Sequence, residues 1–243
     1  MKTIVIGDVH GRNDALQALL GKVQPDEKTD TLIMLGDLFD RGPDSWEVFQ
    51  TVQALAASFG HRFILLRGNH EDFLLQPQLT FTERMVWNRV GRRATVRSFA
   101  RHGAQMEDAI PWLSEHCRLF WRGEDFQCVH AGVLVDPIEA NDRETLIHDH
   151  MIVFRNQYAG PLTVVGHIAL NAPTYFPGRG EAIRELPEDQ QFELPQTGVI
   201  CIDTGCGKGK RLTAMTVENG RFILESTNAK ERKKLWTIAA HVC

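Results

Sequence analysis

Three strand-loop-helix units packed into the first 75 residues constrain this chain more than any other feature. Thr3-Ile4-Val5-Ile6 is a short β-branched apolar run of the kind buried in parallel sheets, and it stops at Gly7 and the polar loop Asp8-Val9-His10-Gly11. Asn13 reads as the N-cap of a following helix, whose inner face is Leu16, Leu19, Leu20 and Val23 before Pro25. The unit then repeats: Leu32 to Leu35 reads as a strand, Gly36 to Gly42 as a polar loop, and Trp46, Phe49, Val52, Leu55 and Ala56 as the inner face of a helix. A third strand, Phe63 to Leu66, runs into Arg67-Gly68-Asn69-His70-Glu71. This order predicts an α/β protein with a parallel sheet at its start.

The pattern changes after a helical stretch from about Thr82 to Ala100. Phe126–Val129, Leu162–Val165 and Val199–Ile202 read as strands, ending at His130-Ala131-Gly132, Gly166-His167 and Asp203-Thr204-Gly205. Leu212–Val217 and Arg221–Leu224 flank Asn219-Gly220, a strong hairpin signal. Pro173 to Pro195 reads as a long surface excursion. The run Gly205-Cys206-Gly207-Lys208-Gly209-Lys210-Arg211 is glycine-rich, but a strand pattern follows it. A phosphate-cradling loop should lead into a helix, so a turn between strands is the better reading.

Composition narrows the partners. With 243 residues, 27 Lys+Arg against 31 Asp+Glu and 43% hydrophobic residues, the chain has an ordinary globular make-up, and one domain over residues 1–243 is expected. A net charge of −4 gives no ground for expecting broad binding to nucleic acid or to an anionic membrane. Met1 to Ile6 lacks the length of a signal-peptide core, and no stretch approaches ~18 apolar residues. Five cysteines without a CxxC pair suit free thiols in a reducing compartment, so a cytoplasmic protein is expected.

Every strand before the hairpin ends in a loop bearing a carboxylate, imidazole or carboxamide, and in open α/β sheets ligands sit at the carboxyl ends of strands. Asp8, His10, Asp37, Asn69, His130 and His167 are oxygen and nitrogen donors without a thiolate, which suits Mn²⁺, Fe or Zn²⁺. Six donors exceed one structural zinc and match two ions if a carboxylate bridges. Singly, each has a plainer explanation: Asp8 as a helix cap, Asp37 and Asn69 as Asx turns, His130 or His167 as a satisfied core histidine. Their co-occurrence in order is what tips the balance.

Gly7-Asp8-Val9-His10-Gly11, Gly36-Asp37-Leu38-Phe39-Asp40-Arg41-Gly42, Gly68-Asn69-His70-Glu71, Val129-His130-Ala131-Gly132 and Val164-Val165-Gly166-His167 together resemble the calcineurin-like metallophosphoesterases, in their phosphoprotein phosphatase branch. The resemblance implies a four-layer α/β/β/α sandwich. It also implies that Asp8, His10 and Asp37 hold one ion, that Asp37, Asn69, His130 and His167 hold a second, and that Asp37 bridges. Two ions roughly 3.5–4 Å apart lower the pKa of a shared water towards ~7 and clamp the attacking and leaving oxygens. By the same resemblance His70 is the general acid, Asp40 orients it and favours its protonated form, and Arg41 and Arg67 bind phosphate. Manganese is the first expectation for the metal.

The match is imperfect after His130. An arginine that the family usually carries before the last metal histidine is missing, and its region reads Leu146-Ile147-His148-Asp149-His150; either the nearest arginine, Arg155, takes over the binding of phosphate or the site lacks one anchor. His148 and His150 are read as part of a polar helix face or loop rather than as ligands. Arg89, Arg93, Arg97 and Arg101, at four-residue spacing, would line one face of a helix, solvated unless that helix caps the site. The expected reaction is hydrolysis of phosphomonoesters, with phosphoserine and phosphothreonine in proteins first because Asp40-Arg41-Gly42 and Glu71 fit that branch. Diadenosine tetraphosphate or another polyphosphate is the alternative substrate, and a non-catalytic phosphoprotein-binding scaffold the third reading.

Overall fold

The computed structural model describes residues 1–227; the fifth cysteine, Cys243, and the last part of the domain expected over residues 1–243 lie outside them. In the first half, β1 (Thr3–Ile6), α1 (Asn13–Val23), β2 (Thr31–Met34), α2 (Ser45–Phe59) and β3 (Phe63–Leu66) follow the expected order. Next come α3 (Asn69–Leu75), α4 (Phe81–Val90), α5 (Arg92–Arg101) and α6 (Ile110–His116). Short strands β4 (Cys117–Arg118), β5 (Phe120–Arg122) and β6 (Gln127–Val129) lead to α7 (Arg143–Ile147) and β7 (Thr163–Val165). The chain then forms β8 (Thr174–Phe176), β9 (Arg184–Glu185), β10 (Gln191–Glu193), β11 (Val199–Cys201), β12 (Leu212–Glu218) and β13 (Arg221–Thr227).

These strands form two sheets, ordered β10-β13-β12-β1-β2-β3-β4 and β5-β6-β7-β11-β8-β9. β1 to β4 are parallel, as are β6, β7 and β11. Side-chain alternation along β1 shows how they stack. Ile4 and Ile6 face a core shared with Leu16, Leu20, Val52 and Phe99 of the helices, while Val5 faces a second core with Val164, Ile200 and Met215 between the sheets. A third core lies on the far face of the second sheet, where Val129, Val165 and Cys201 meet Ile138, Leu146, Ile147 and Ile152. The result is helices, sheet, sheet, and an outer layer built from α7, one 3₁₀ turn and loop.

Four expectations need correction. Asn13 is the first residue of α1, not its cap; its Oδ1 accepts from Thr51 Oγ1 at 2.9 Å and ties α1 to α2. The stretch Pro173 to Pro195 is more than a surface excursion, because buried β8 pairs with β11 and β10 forms an edge of the first sheet. The helix from 82 to 100 is two helices broken at Gly91, whose φ is +127°. The arginine spacing therefore does not make one stripe: Arg89 lies on α4, and Arg93, Arg97 and Arg101 on α5.

The hairpin at Asn219-Gly220 is present, with positive φ at both residues as its tight turn requires. Cys117, Cys128, Cys201 and Cys206 are free thiols. Among the described residues no helix is long and apolar enough to cross a membrane. Gly91 matters because a Cβ there would run into the backbone nitrogen of Arg41. Gly91→Ala is therefore expected to cost about 2 kcal/mol or more, seen as a lowered Tm, whereas an ordinary exposed Gly→Ala change stabilises.

Candidate metal centre

The carboxyl ends of β1, β2 and β3 in the first sheet and β6, β7 and β11 in the second deliver their loops to one place. The backbone there is unusual: His10, Asp37, Asp40, Arg41 and His167 all adopt positive φ, between 47° and 68°, a region non-glycine residues rarely enter. Tight packing holds them so. A Cβ on Gly42 would strike the carbonyl oxygen of His10, and one on Gly166 the carboxylate of Asp8.

Asp37 is central. Its Oδ2 lies 3.4 Å from His10 Nε2 and 3.8 Å from His70 Nε2, and its Oδ1 lies 3.4 Å from His130 Nε2. Two groups of donors fall within metal-binding distance of one another and share it: His10, Asp37 and His70, and Asp37, His130 and His167. Asn69 joins the second group, with Oδ1 3.2 Å from His130 Nε2 and 3.0 Å from His167 Nδ1. Asp8 enters from β1, its Oδ2 accepting the backbone N–H of His167 at 2.9 Å.

Buried Asp8 Oδ1 and His10 Nε2 have no hydrogen-bond partner among the described residues, which is costly unless a cation or donor meets them. The outer nitrogens of two histidines are accounted for. His10 Nδ1–H donates to the Phe39 carbonyl at 2.9 Å and His130 Nδ1–H to that of Leu35 at 2.8 Å, so each directs Nε2 inward.

Electrostatics agree with a cation site. Burial pushes Asp37 up, but His130, His70, His10 and His167 more than reverse this, and its carboxyl ends below the usual range. Burial, then the neighbouring Asp203 and Asp37, pushes Asp8 well up. Asp203 is itself raised to about 6, mainly by burial. Burial keeps His10 and His130 below their ordinary value and takes His167 down to about 2, leaving neutral imidazoles able to ligate. Buried carboxylates that repel one another and neutral histidines that lack a proton are the groups divalent ions would satisfy, and the residues present fit such ions.

His70 is different. Burial lowers its pKa, but Asp37 and Asp40 outweigh burial and the net shift is upward. Its Nδ1–H donates to Asp40 Oδ2 at 2.6 Å, and Asp40 also accepts from Trp87 Nε1 at 2.7 Å and Thr95 Oγ1 at 2.6 Å. Arg41 Nη2 stands 3.5 Å from His70 Nε2. Glu71 is fully buried and accepts the N–H groups of Asp37 (2.7 Å), Leu38 (2.9 Å) and Gly68 (3.1 Å), joining the β2 and β3 loops.

Arg67 does not stand free. Its Nε approaches Asp72 Oδ1 at 2.7 Å as an ion pair, off the line of a hydrogen bond. Asp72 also takes Arg143 and, at 3.0 Å, His148 Nε2. Arg155 is exposed, with no side-chain hydrogen bond or ion pair among the described residues. His148 and His150 lie in the turn and loop after α7: His148 binds Asp72, and exposed His150 stacks on His167 at 4.5 Å. The glycine-rich run forms one 3₁₀ turn before β12, and Gly207 packs on the His10 ring. Asp203, Asp72 and Arg143 were missed by sequence reasoning. Only Asp203 carried a signal, its place at the end of β11.

A family profile described as calcineurin-like phosphoesterase matches residues 1–201. A symmetrical bis(5'-nucleosyl)-tetraphosphatase of Erwinia tasmaniensis is 48% identical over 115 residues, covering 46% of this chain and 37% of that protein. One from Pasteurella multocida is 35% identical over 138 residues, covering 56% of this chain and 46% of its own. The matched stretches thus span less than half of these relatives' length. A metallophosphoesterase of Sphaerobacter thermophilus shares the fold, with a TM-score of 0.64 at 18% identity, covering 94% of this chain and 89% of that one.

In metal-free protein the raised His70 pKa has a definite sign. The stabilisation from its pair with Asp40 is fully present below the ordinary value of 6.5 and is lost as pH rises through the higher folded value. Asp40→Asn should lower the His70 pKa, read by NMR titration. It should also flatten the alkaline fall in stability and cost about 1–3 kcal/mol as Trp87 and Thr95 lose a charged acceptor.

Proposed function

We propose a substrate for this site from the premise that the chain belongs to the calcineurin-like phosphoesterase family, whose members are metal-dependent hydrolases of phosphate compounds. The substrate is a dinucleoside polyphosphate, cleaved at a phosphoanhydride bond within one catalytic domain. The similarity to symmetrical bis(5'-nucleosyl)-tetraphosphatases carries this reading. The expectation of phosphoserine and phosphothreonine loses its ground for a physical reason. Asp40 and Glu71, whose motif fit favoured a phosphoprotein, are buried and spend their oxygens on His70, Trp87, Thr95 and backbone N–H groups. They brace the site and meet no leaving group, so they are silent about what leaves.

Asp8, His10 and Asp37 would hold one divalent ion, and Asp37, Asn69, His130 and His167 the other, with Asp37 common to both groups. Such ions supply Lewis acidity and acidify a water towards neutrality. Arg41 offers donors to the phosphoryl group, and Asp40 keeps His70 charged so that Nε2 can give its proton to the departing oxygen as the P–O bond breaks. Arg67, held by Asp72 with Arg143, would bind phosphate at the edge of the site.

Initial rates with Mn²⁺ on diadenosine tetraphosphate, a phosphoseryl peptide and an aryl phosphate test the reading. The dinucleotide should win in kcat/KM by roughly tenfold or more, about 1.4 kcal/mol in transition-state binding. A peptide hydrolysed equally well would overturn it. Asp37→Ala should be inactive at every Mn²⁺ concentration, whereas a non-catalytic scaffold would show no activity even before mutation. His70→Asn should lose about 10²–10⁴-fold on the peptide, whose alkoxide needs a proton, and markedly less on the dinucleotide, whose nucleotide leaves as a stable anion.

A further inference from the structure

Three imidazoles that point into the centre need their outer nitrogens occupied if each is to keep one tautomer and one ring orientation. His10 and His130 solve this with the backbone, donating Nδ1–H to the carbonyls of Phe39 and Leu35. Among the described residues His167 has no such carbonyl. It enters with the opposite nitrogen: Nδ1 lies 3.0 Å from Asn69 Oδ1 and 3.2 Å from His130 Nε2, so Nε2 is its outer atom. The partner of that Nε2 is Nδ1 of His150, whose ring lies nearly parallel, with an interplanar angle of 18°.

We infer that His150 is the positioning residue for His167: its Nδ1 accepts the Nε2–H of His167, which leaves the Nδ1 lone pair of His167 directed at the second ion. The proton accounting allows one arrangement. If His167 Nδ1 ligates, its ring proton is on Nε2, and His150 must meet it with an unprotonated Nδ1 and keep its own proton on Nε2.

The segment carrying His150 is built to hold it. On one side His148 Nε2 is bound to Asp72 Oδ2 at 3.0 Å, and Ile147 is buried in the outer core. On the other, Asp149 Oδ1 accepts the N–H groups of Met151 (2.7 Å) and Ile152 (2.9 Å), and Ile152 is buried in the same core. His150 itself is exposed between these anchors, so replacing it removes little packing.

The inference rests on the ligand assignment proposed above, and the test separates the two. Mn²⁺ alone is titrated calorimetrically into wild-type, His150→Phe, His150→Asn and Asp37→Ala proteins, with kcat and KM measured beside it. Phe keeps a stacking ring but no acceptor, whereas Asn places an oxygen near the position of Nδ1. His150→Phe should bind the second ion about 10–100-fold more weakly, with the first ion unchanged, and kcat should fall unless Mn²⁺ is raised. His150→Asn should recover most of the affinity. Unchanged binding in His150→Phe, or equal losses in Phe and Asn, would overturn the role of His150 while leaving the ligand assignment intact. Wild-type and Asp37→Ala proteins binding Mn²⁺ alike would instead overturn the assignment.

Discussion

Asp37 is held at its carbonyl, its N–H and one carboxylate oxygen, and the geometry of the centre follows from how it is held. Its carbonyl receives the N–H groups of Val9 and His10 from the β1 loop, and its own N–H goes to Glu71 from the β3 loop. Its Oδ1 accepts the backbone N–H of His70 at 3.1 Å. Three successive strand ends are thereby tied to one residue in a left-handed conformation, with φ of 50°. Such a conformation costs on the order of 1 kcal/mol or more and persists because so many partners overdetermine it. The carboxylate is presented between four imidazoles, which keep it charged despite burial.

Glu71 is the counterpart that makes this possible. A fully buried carboxylate is expensive, and burial together with Asp37 raises its pKa to about 7. Its three backbone donors belong to the two loops that carry Asp37 and Asn69. Charge inside the protein is therefore arranged as a lattice of braces around the donors, and the acidic surplus of the sequence is partly an interior property.

Much of this was legible in the sequence because buried parallel strands leave a double mark: an unbroken apolar run, then polar residues where the run meets solvent or ligand. Thr3–Ile6, Phe63–Leu66 and Val199–Cys201 carry that mark, and the donors follow within a few residues. What stayed hidden depends on distance along the chain. Asp72 and Arg143 are 71 positions apart and have no spacing that announces their pairing. The break at Gly91 was obscured because the helical pattern is continuous across it, while its cause, the close approach to Arg41, is tertiary. His150 stayed hidden because a residue that orients a ligand looks the same in sequence as one on a polar face. The family motifs themselves describe the frame of the site, so they reveal the chemistry sooner than the substrate.

The two sheets contribute unequally placed halves of one centre: Asp8, Asp37 and Asn69 come from the first, and His130, His167 and Asp203 from the second. Between them lies an apolar core that includes Val5, Ile33, Ile64, Val164 and Ile200. The spacing of the donors is thus a measure of how the two sheets are seated on each other. In an interior packed as tightly as a crystal, the loss or gain of a single methylene in that layer is felt by its neighbours. The hydrophobic seam between the sheets acts as the gauge block of the centre, setting the gap across which its charges face one another.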